Sequence, residues 1–384
     1  MNKRIGFYAL QKVAGEPFNA YVPPKLPPDP SIDVARLYPD LEKATHAVAQ
    51  LNSVAKSIPN VSLFLYMYVR KEALLSSQIE GTQSSFADLI LFEDAQNPEV
   101  STDDVEEVSN YVKAIKHGLD RIKGGFSLSL RLLREVHGVL LAGSRGATKL
   151  PGEFRRSQNW IGGSRPGNAM FVPPDPENMM TCLSDMEKFL HDKSLPILIK
   201  AGLVHVQFET IHPFLDGNGR LGRLLIILML CEGGLLDEPI LYLSLYLKQN
   251  RSRYYDLLGQ IRTLGNWEVW LEFFLEGVCN SAQQGLYAIK EINALFEADI
   301  AKIESLGRVK YSCLQTFEYM KKMPQLSVPR LAQELEISAP TARSALNTMV
   351  NLGVLEEVSG KKRDRVYVYR RYLSILENGA EPLR

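Results

Sequence analysis

The chain has 384 residues, 45% of them hydrophobic and 23% charged, with 44 lysines and arginines balanced by 44 aspartates and glutamates. This length and composition exclude a disordered chain and allow two or three domains, each with a sizeable core. Zero net charge excludes a global field that would steer the chain to nucleic acid or membrane, so any such role needs a local patch.

The chain opens on residues 1–30, which include the proline-rich run Tyr21–Pro30 (YVPPKLPPDP). Proline fixes φ and removes a backbone donor, so this segment is expected to be an extended arm against the body. From Ser31 to Leu306 the pattern is mainly helical. Apolar residues recur three and four apart in Leu41–Ala55, Val61–Ile79, Val105–Ile122, Ser129–Ala142, Asn178–His191, Pro196–Phe208, Gly219–Cys231 and Trp267–Lys290. At the end of the second of these, Ser76 and Glu80 are four apart on one helix face that Gly81 can end. Taken alone, that pattern reads as a solvated face. The turn-rich stretch Pro151–Asn178 has room for a short hairpin, and His212–Gly219 is a loop between two helices. Tyr254 and Tyr255 are neighbours on a helix and point about 100° apart, so at most one needs to be core.

The C-terminal part reads differently. A short helix (Val328–Glu336), a turn, a longer amphipathic helix (Thr341–Leu355) and an alternating segment with a Ser359-Gly360 turn make a winged helix-turn-helix order. Thirteen lysines and arginines against eight acids between Arg308 and Arg384 give it a net charge of +5, densest at Lys361, Lys362, Arg363 and Arg365, with Arg370 and Arg371 following. DNA binding, with Arg343 and Asn347 toward base edges, and a protein-docking or dimerising role both fit. The four cysteines, Cys182, Cys231, Cys279 and Cys313, form no CxxC pair and read as buried free thiols. With no signal-like start, and no apolar run longer than Leu224–Cys231, a cytoplasmic protein is expected.

The segment His212–Arg223 (HPFLDGNGRLGR) carries the chemistry. Gly217, Asn218 and Gly219 stand where loop becomes helix. Glycines let backbone N–H groups converge on an anion, and a helix start adds free donors and a positive dipole end. Arg220 and Arg223 are three apart on that first turn, and guanidinium groups suit bidentate phosphate contacts. Asp216 beside such a cradle suits Mg²⁺ bridging phosphate oxygens. His212 titrates near neutrality and suits a general base. Together these describe nucleotidyl or phosphoryl transfer. His205 reads as a packed structural histidine rather than half of a zinc pair, because no third ligand is near. Glu209 reads as a residue that caps or orients the loop.

HPFLDGNGRLGR resembles the Fic motif, HxFx(D/E)GNGRxxR, at every defined position, and the preceding AGLVHVQFETI is similar to the family's lead-in. The resemblance covers roughly residues 31–300. It implies a mainly α protein, with a helical Fic core (31–305), a short β-hairpin flap and the C-terminal winged helix (306–384). It further implies AMP transfer from ATP, with Mg²⁺, to Ser, Thr or Tyr hydroxyls of target proteins and of the chain itself. By position, His212 would deprotonate the hydroxyl and Asp216 would hold Mg²⁺. Gly217, Asn218 and Gly219 would hold the α- and β-phosphates, and Arg220 and Arg223 the outer ones, within a nucleotide-binding run that includes Leu221 and Gly222. Tyr254 and Tyr255 would line the adenine and ribose pocket. Met170, Phe171 and Val172 would form the flap edge that pairs with a target, with Ile161–Ser164 near the nucleotide. Beside this motif, Ser76 and Glu80 resemble the family's inhibitory helix, (S/T)xxxE(G/N), in which the glutamate pairs with Arg223 and competes with the γ-phosphate. A homodimer is a family expectation. Removal of AMP, transfer of another phosphate-bearing group, or a DNA-binding regulator with an ATP-sensing core are the alternatives.

Overall fold

The structure, a computed structural model, describes residues 4–13, 15–56, 61–86, 88–89, 102–143, 145–360 and 365–381. The chain starts with an antiparallel hairpin, β1 (Phe7–Val13) and β2 (Glu16–Val22), registered Phe7 to Val22 and Val13 to Glu16. The expected extended arm is therefore a hairpin as far as Val22, and Pro23 to Pro30 follows without strand or helix, bending at Leu26–Pro27 and Asp29–Pro30. The alternating FYALQKV pattern and the Gly15 turn, at φ 89°, specify the hairpin.

Among the described residues these helices follow: α1 (Val34–Lys56), α2 (Val61–Ile79), α3 (Thr102–Lys123), α4 (Leu130–Leu140), α5 (Pro176–Leu190), α6 (Ile197–Ile211), α7 (Asn218–Glu232), α8 (Leu243–Gln249), α9 (Arg251–Leu264) and α10 (Trp267–Glu304). Their starts follow local chemistry. Ser129 caps α4 by accepting from the Leu132 N–H, and Asp175 caps α5 by accepting from the Glu177 and Asn178 N–H groups. The α6 and α7 sequences are apolar on nearly every face, so these helices can only be central. Leu203, Val204, Val206, Phe208, Leu224, Leu225, Ile227 and Leu228 are all at most 1% exposed. Around this pair, α1 lies along α10, α3 along α4, and α2 packs on α3 and α8.

Beyond α10 come α11 (Lys310–Lys322), β3 (Gln325–Ser327), α12 (Val328–Glu334), α13 (Ala339–Asn351), β4 (Glu356–Glu357), β5 (Val366–Val368) and α14 (Arg370–Glu377), with a three-stranded antiparallel sheet ordered β3-β5-β4. Ser327 and Ser338 cap α12 and α13. Lys361, Lys362 and Arg363 lie outside the described residues. No described helix is long and apolar enough to cross a membrane. The four cysteines are free, and Cys182 and Cys313 are buried.

Candidate functional site

The site is built where α6 stops and α7 begins. His212 ends α6 in the left-handed region, at φ 49°. For a non-glycine residue this costs on the order of 1–3 kcal/mol and persists only where surrounding contacts enforce it. Arg155 enforces it here. This buried guanidinium donates to the carbonyls of His212 (3.0 Å), Ser157 (3.0 Å), Ile211 (3.4 Å) and Pro174, while the Arg155 N–H donates to Pro213 O (2.9 Å). Asn159 adds a 3.1 Å bond to Phe214 O. The base of the flap and the start of the loop are thus one hydrogen-bonded unit.

His137 on α4 supports the loop from below. It stacks on Phe214 with centroids 3.7 Å apart. Its Nδ1 accepts the Gly152 N–H (2.9 Å), so Nε2 carries the proton and donates to Asp216 O (3.0 Å). Burial pushes its pKa down to about 4. Sequence reasoning missed both Arg155 and His137, because each acts on backbone carbonyls distant in sequence.

The loop closes on Gly217, the N-cap of α7, at φ 72°. No side chain caps this helix, so its first-turn donors stay directed outward. Asn218 differs from expectation. Its Oδ1 accepts the Phe214 N–H (2.9 Å) and its Nδ2 donates to Phe214 O (2.9 Å). Both side-chain groups shape the loop; the Gly217 N–H donates to Asp216 Oδ1 (2.6 Å), so the first N–H groups of α7 itself are left to face an anion. Leu221 is also corrected, because its side chain is fully buried in the core. Gly222 turns away from the loop: its carbonyl accepts from His205 Nδ1 (3.1 Å), and a Cβ there would lie 2.5 Å from Glu209 Oε1.

A cavity of about 490 Å³ opens over this first turn. Its walls are Glu80, Gly81, Thr82, Glu107, Lys149 and the run from His212 to Arg220 without Pro213 and Phe214. Arg220 reaches Glu107 at 3.0 Å and Asp216 at 3.7 Å. Glu107 and Lys149 were not foreseen, because neither belongs to the motif. Arg223 donates through Nε to Ser76 Oγ (2.9 Å), and through Nη2 to Ser76 O (2.8 Å) and Glu80 Oε1 (2.7 Å). The Glu80 carboxylate sits directly against Gly219: a Cβ built there would lie 2.2 Å from Oε1. A negative charge therefore already rests on the positive end of α7. Partial burial raises the Glu80 carboxyl, but Arg223 pulls it below its usual range.

His212 is neutral at pH 7, since burial pushes its pKa down to about 4. Its Nδ1 lies 3.3 Å from Glu209 O, an acceptor, so Nδ1 holds the proton and Nε2 is free to accept one. The Glu209 carboxyl is pushed up to about 7 by burial, with Glu80 adding to the rise. Asp216 is 44% exposed at the cavity mouth. One such carboxylate beside a phosphate cradle fits Mg²⁺, which usually takes one or two protein carboxylates and completes its shell with phosphate and water. Among the described residues no cluster of three or more His, Cys, Asp or Glu could hold a metal by itself.

His205 is buried, and its Nε2 accepts from the Tyr254 hydroxyl (2.9 Å), so it is the packed residue expected. Several other expectations change. Tyr254 is 1% exposed, between His205, Trp270 and Tyr255, and is core rather than pocket lining. Tyr255 is 40% exposed under the Arg251 guanidinium. The flap is a single bridge, Ile161 to Phe171, tipped by a 3₁₀ turn at Pro166–Asn168. Phe171 and Val172 are buried, Val172 O accepts the Tyr21 N–H of β2 (2.9 Å), and only Met170 stands out, at 89% exposure. The flap edge is thus partly covered by the chain's own hairpin, and Ile161–Ser164 lie outside the cavity wall. In the C-terminal elements Asn347 Oδ1 accepts from the Tyr367 hydroxyl (2.9 Å), Arg370 pairs with Glu356 and Arg371 with Asp299, so these groups are engaged within the chain.

The Fic/DOC family N-terminal model matches residues 38–120, and the Fic/DOC family model residues 127–230. Over 145 residues the chain is 32% identical to the protein adenylyltransferase Fic of Aedes aegypti, which covers 37% of this chain and 26% of that protein. Over 110 residues it is 37% identical to the protein of the same name from Drosophila ananassae, covering 28% and 20%. The chain thus spans about a quarter or less of these relatives' length. Among solved structures, a Fic family protein from Desulfovibrio desulfuricans aligns with a TM-score of 0.55 at 19% identity, over 86% of this chain and 96% of that one. A Fic domain-containing signaling protein from Bacteroides thetaiotaomicron aligns with a TM-score of 0.51 at 18% identity, over 64% and 97%. At these identities the likeness is one of fold.

Proposed function

This chain belongs to the Fic/DOC family, and we propose that it transfers AMP from ATP to Ser, Thr or Tyr hydroxyls of target proteins and of itself, under restraint by Glu80. One observation carries the reading: the uncapped start of α7, with Arg220, opens into a cavity walled also by His212 and by Glu80, behind which Arg223 is held. The names of the relatives agree with AMP transfer to protein.

The triphosphate lies along the first turn of α7. Backbone N–H groups of Asn218 and Gly219 meet the inner phosphates, and Arg220 and Arg223 the outer ones. Asp216 would hold Mg²⁺, which would neutralise phosphate charge. The target hydroxyl attacks the α-phosphorus and forms the new P–O bond. Its proton passes to His212 Nε2 as the bond to the bridging oxygen breaks and pyrophosphate leaves. Catalysis is then mostly positioning and charge neutralisation.

Glu80 opposes this arrangement. Its carboxylate lies against Gly219 and on Arg223, so a γ-phosphate and Glu80 compete for the same guanidinium. The division into a Fic core to about residue 305 and a C-terminal unit from 306 is part of this proposal. Incubation with ATP labelled at the α- or the γ-phosphate tests the activity. Protein-bound label from α-labelled ATP alone, with release of pyrophosphate, is expected; label from the γ-position would overturn the reading.

A further inference from the structure

Helix α2 presents Ser76, and the turn that follows it Glu80, to Arg223 on one side, and the helix is gripped by the end of the chain on the other. At 100° per residue, Gln78 and Lys71 point away from the Ser76–Glu80 face. Gln78 is fully buried. Its Nε2 donates to Ser84 O (3.0 Å) and Ala380 O (2.9 Å), and its Oε1 accepts from Lys248 Nζ (2.7 Å). The same ammonium donates to Gly379 O (3.4 Å) and Glu381 O. Lys71 donates to Asn378 O (2.9 Å). All the tail acceptors are backbone carbonyls in the four residues that follow α14, and α14 itself packs on α2.

We propose that the segment Asn378–Glu381, joined to α2 through Lys248 and Gln78, positions Glu80 on Arg223 and so links the C-terminal elements to the phosphate site. The argument is geometric. Glu80 follows the last residue of α2, so its reach to Arg223 depends on where that helix lies. Buried polar groups hold a helix firmly when each has its partner, and lose that hold when one is removed. Lys248 is 6% exposed and bridges α2 to the tail, so its loss unties both. A partner that draws the tail away from Lys248 would loosen α2 in the same way. Neither Lys248 nor Gln78 lines the phosphate cavity, so their side chains act there only through Glu80.

The proposal rests on the reading of Glu80 given above, and full-length variants separate the two. Self-labelling from α-labelled ATP and ATP affinity are measured for Lys248→Met, Gln78→Leu, Lys248→Arg and Glu80→Gly, each checked for folding by its circular-dichroism melt. Lys248→Met and Gln78→Leu are expected to raise labelling and tighten ATP binding, within the roughly five- to hundredfold range of intramolecular coupling. Lys248→Arg is expected to stay near the parent, and neither gain should add to Glu80→Gly. Folded Lys248→Met and Gln78→Leu proteins that label like the parent, while Glu80→Gly is raised, overturn the positioning role. So does a gain that persists on top of Glu80→Gly. Unchanged labelling in Glu80→Gly overturns the reading of Glu80 itself, and this proposal with it.

Discussion

Two regions of this molecule carry closely spaced arginines and use them in opposite ways. In the first turn of α7, Arg223 is 2% exposed and closes on a Glu80 carboxylate that is 38% exposed and follows the end of a helix. At the start of α14, Arg371 is 44% exposed and closes on Asp299, which is fully buried within α10 and also bonded by Tyr369 and Lys302. In the first pair the acid is the accessible partner and, on the function proposed above, gives way to a ligand. In the second the acid is fixed, and the arginine serves to neutralise it. The density of positive charge in the two segments does not separate them. The exposure of the acidic partner does.

The largest effect expected is at the base. His212→Ala should lower transfer by roughly 10²–10⁴-fold, the usual contribution of general base catalysis, while ATP still binds by calorimetry. Full turnover in that variant would remove the proton acceptor that distinguishes the α7 region. Glu80→Gly comes next, with labelling raised about five- to a hundredfold if the pair is exchangeable. His137→Leu removes the bond to Asp216 O and leaves the Gly152 N–H without its acceptor. It should cost about 1–3 kcal/mol of stability and raise the KM for ATP; a lowered melting temperature with unchanged KM would confine His137 to packing.

A pH profile sharpens the same point. His137 and His205 are pushed down to about 4 by burial, so below pH 6.5 the unfolded chain binds protons that the folded one does not. The contribution of these two histidines should be full above pH 6.5 and fall as the pH drops toward 4, and His137→Leu should flatten its own part of that slope in melts at pH 7 and 5. The smallest effect on transfer is expected at Arg371→Ala. It should leave labelling unchanged and cost about 1–3 kcal/mol of stability, because buried Asp299 loses one donor while Tyr369 and Lys302 remain. A rise in labelling there would break the contrast between the two arginines.

Legibility followed the range of the interactions. The helical stretches were readable because their signal is an apolar repeat within one segment, and α6 and α7 betrayed their central place by lacking a polar face. The motif from His212 to Arg223 was readable because the loop, the helix start and both guanidinium groups lie within a dozen residues. The β1–β2 hairpin was legible in principle, from an alternating strand pattern and Gly15, but the neighbouring prolines drew the reading toward an extended arm. Tyr254 could not be assigned, because an adjacent tyrosine pair looks the same whether its first ring meets a nucleotide or Trp270.

By itself the sequence determined the local chemistry: which residues form helices, where the glycines free a backbone for an anion, and which side chain can accept a proton. The tertiary structure alone decided the partners. It set Glu107 on Arg220, Arg155 on the His212 carbonyl, His137 under Asp216 and the chain's last described residues behind α2. Each of these is a contact between segments far apart in sequence, formed only when the apolar faces of the helices pack. A side chain's type fixes what it can bind, and packing fixes what it meets.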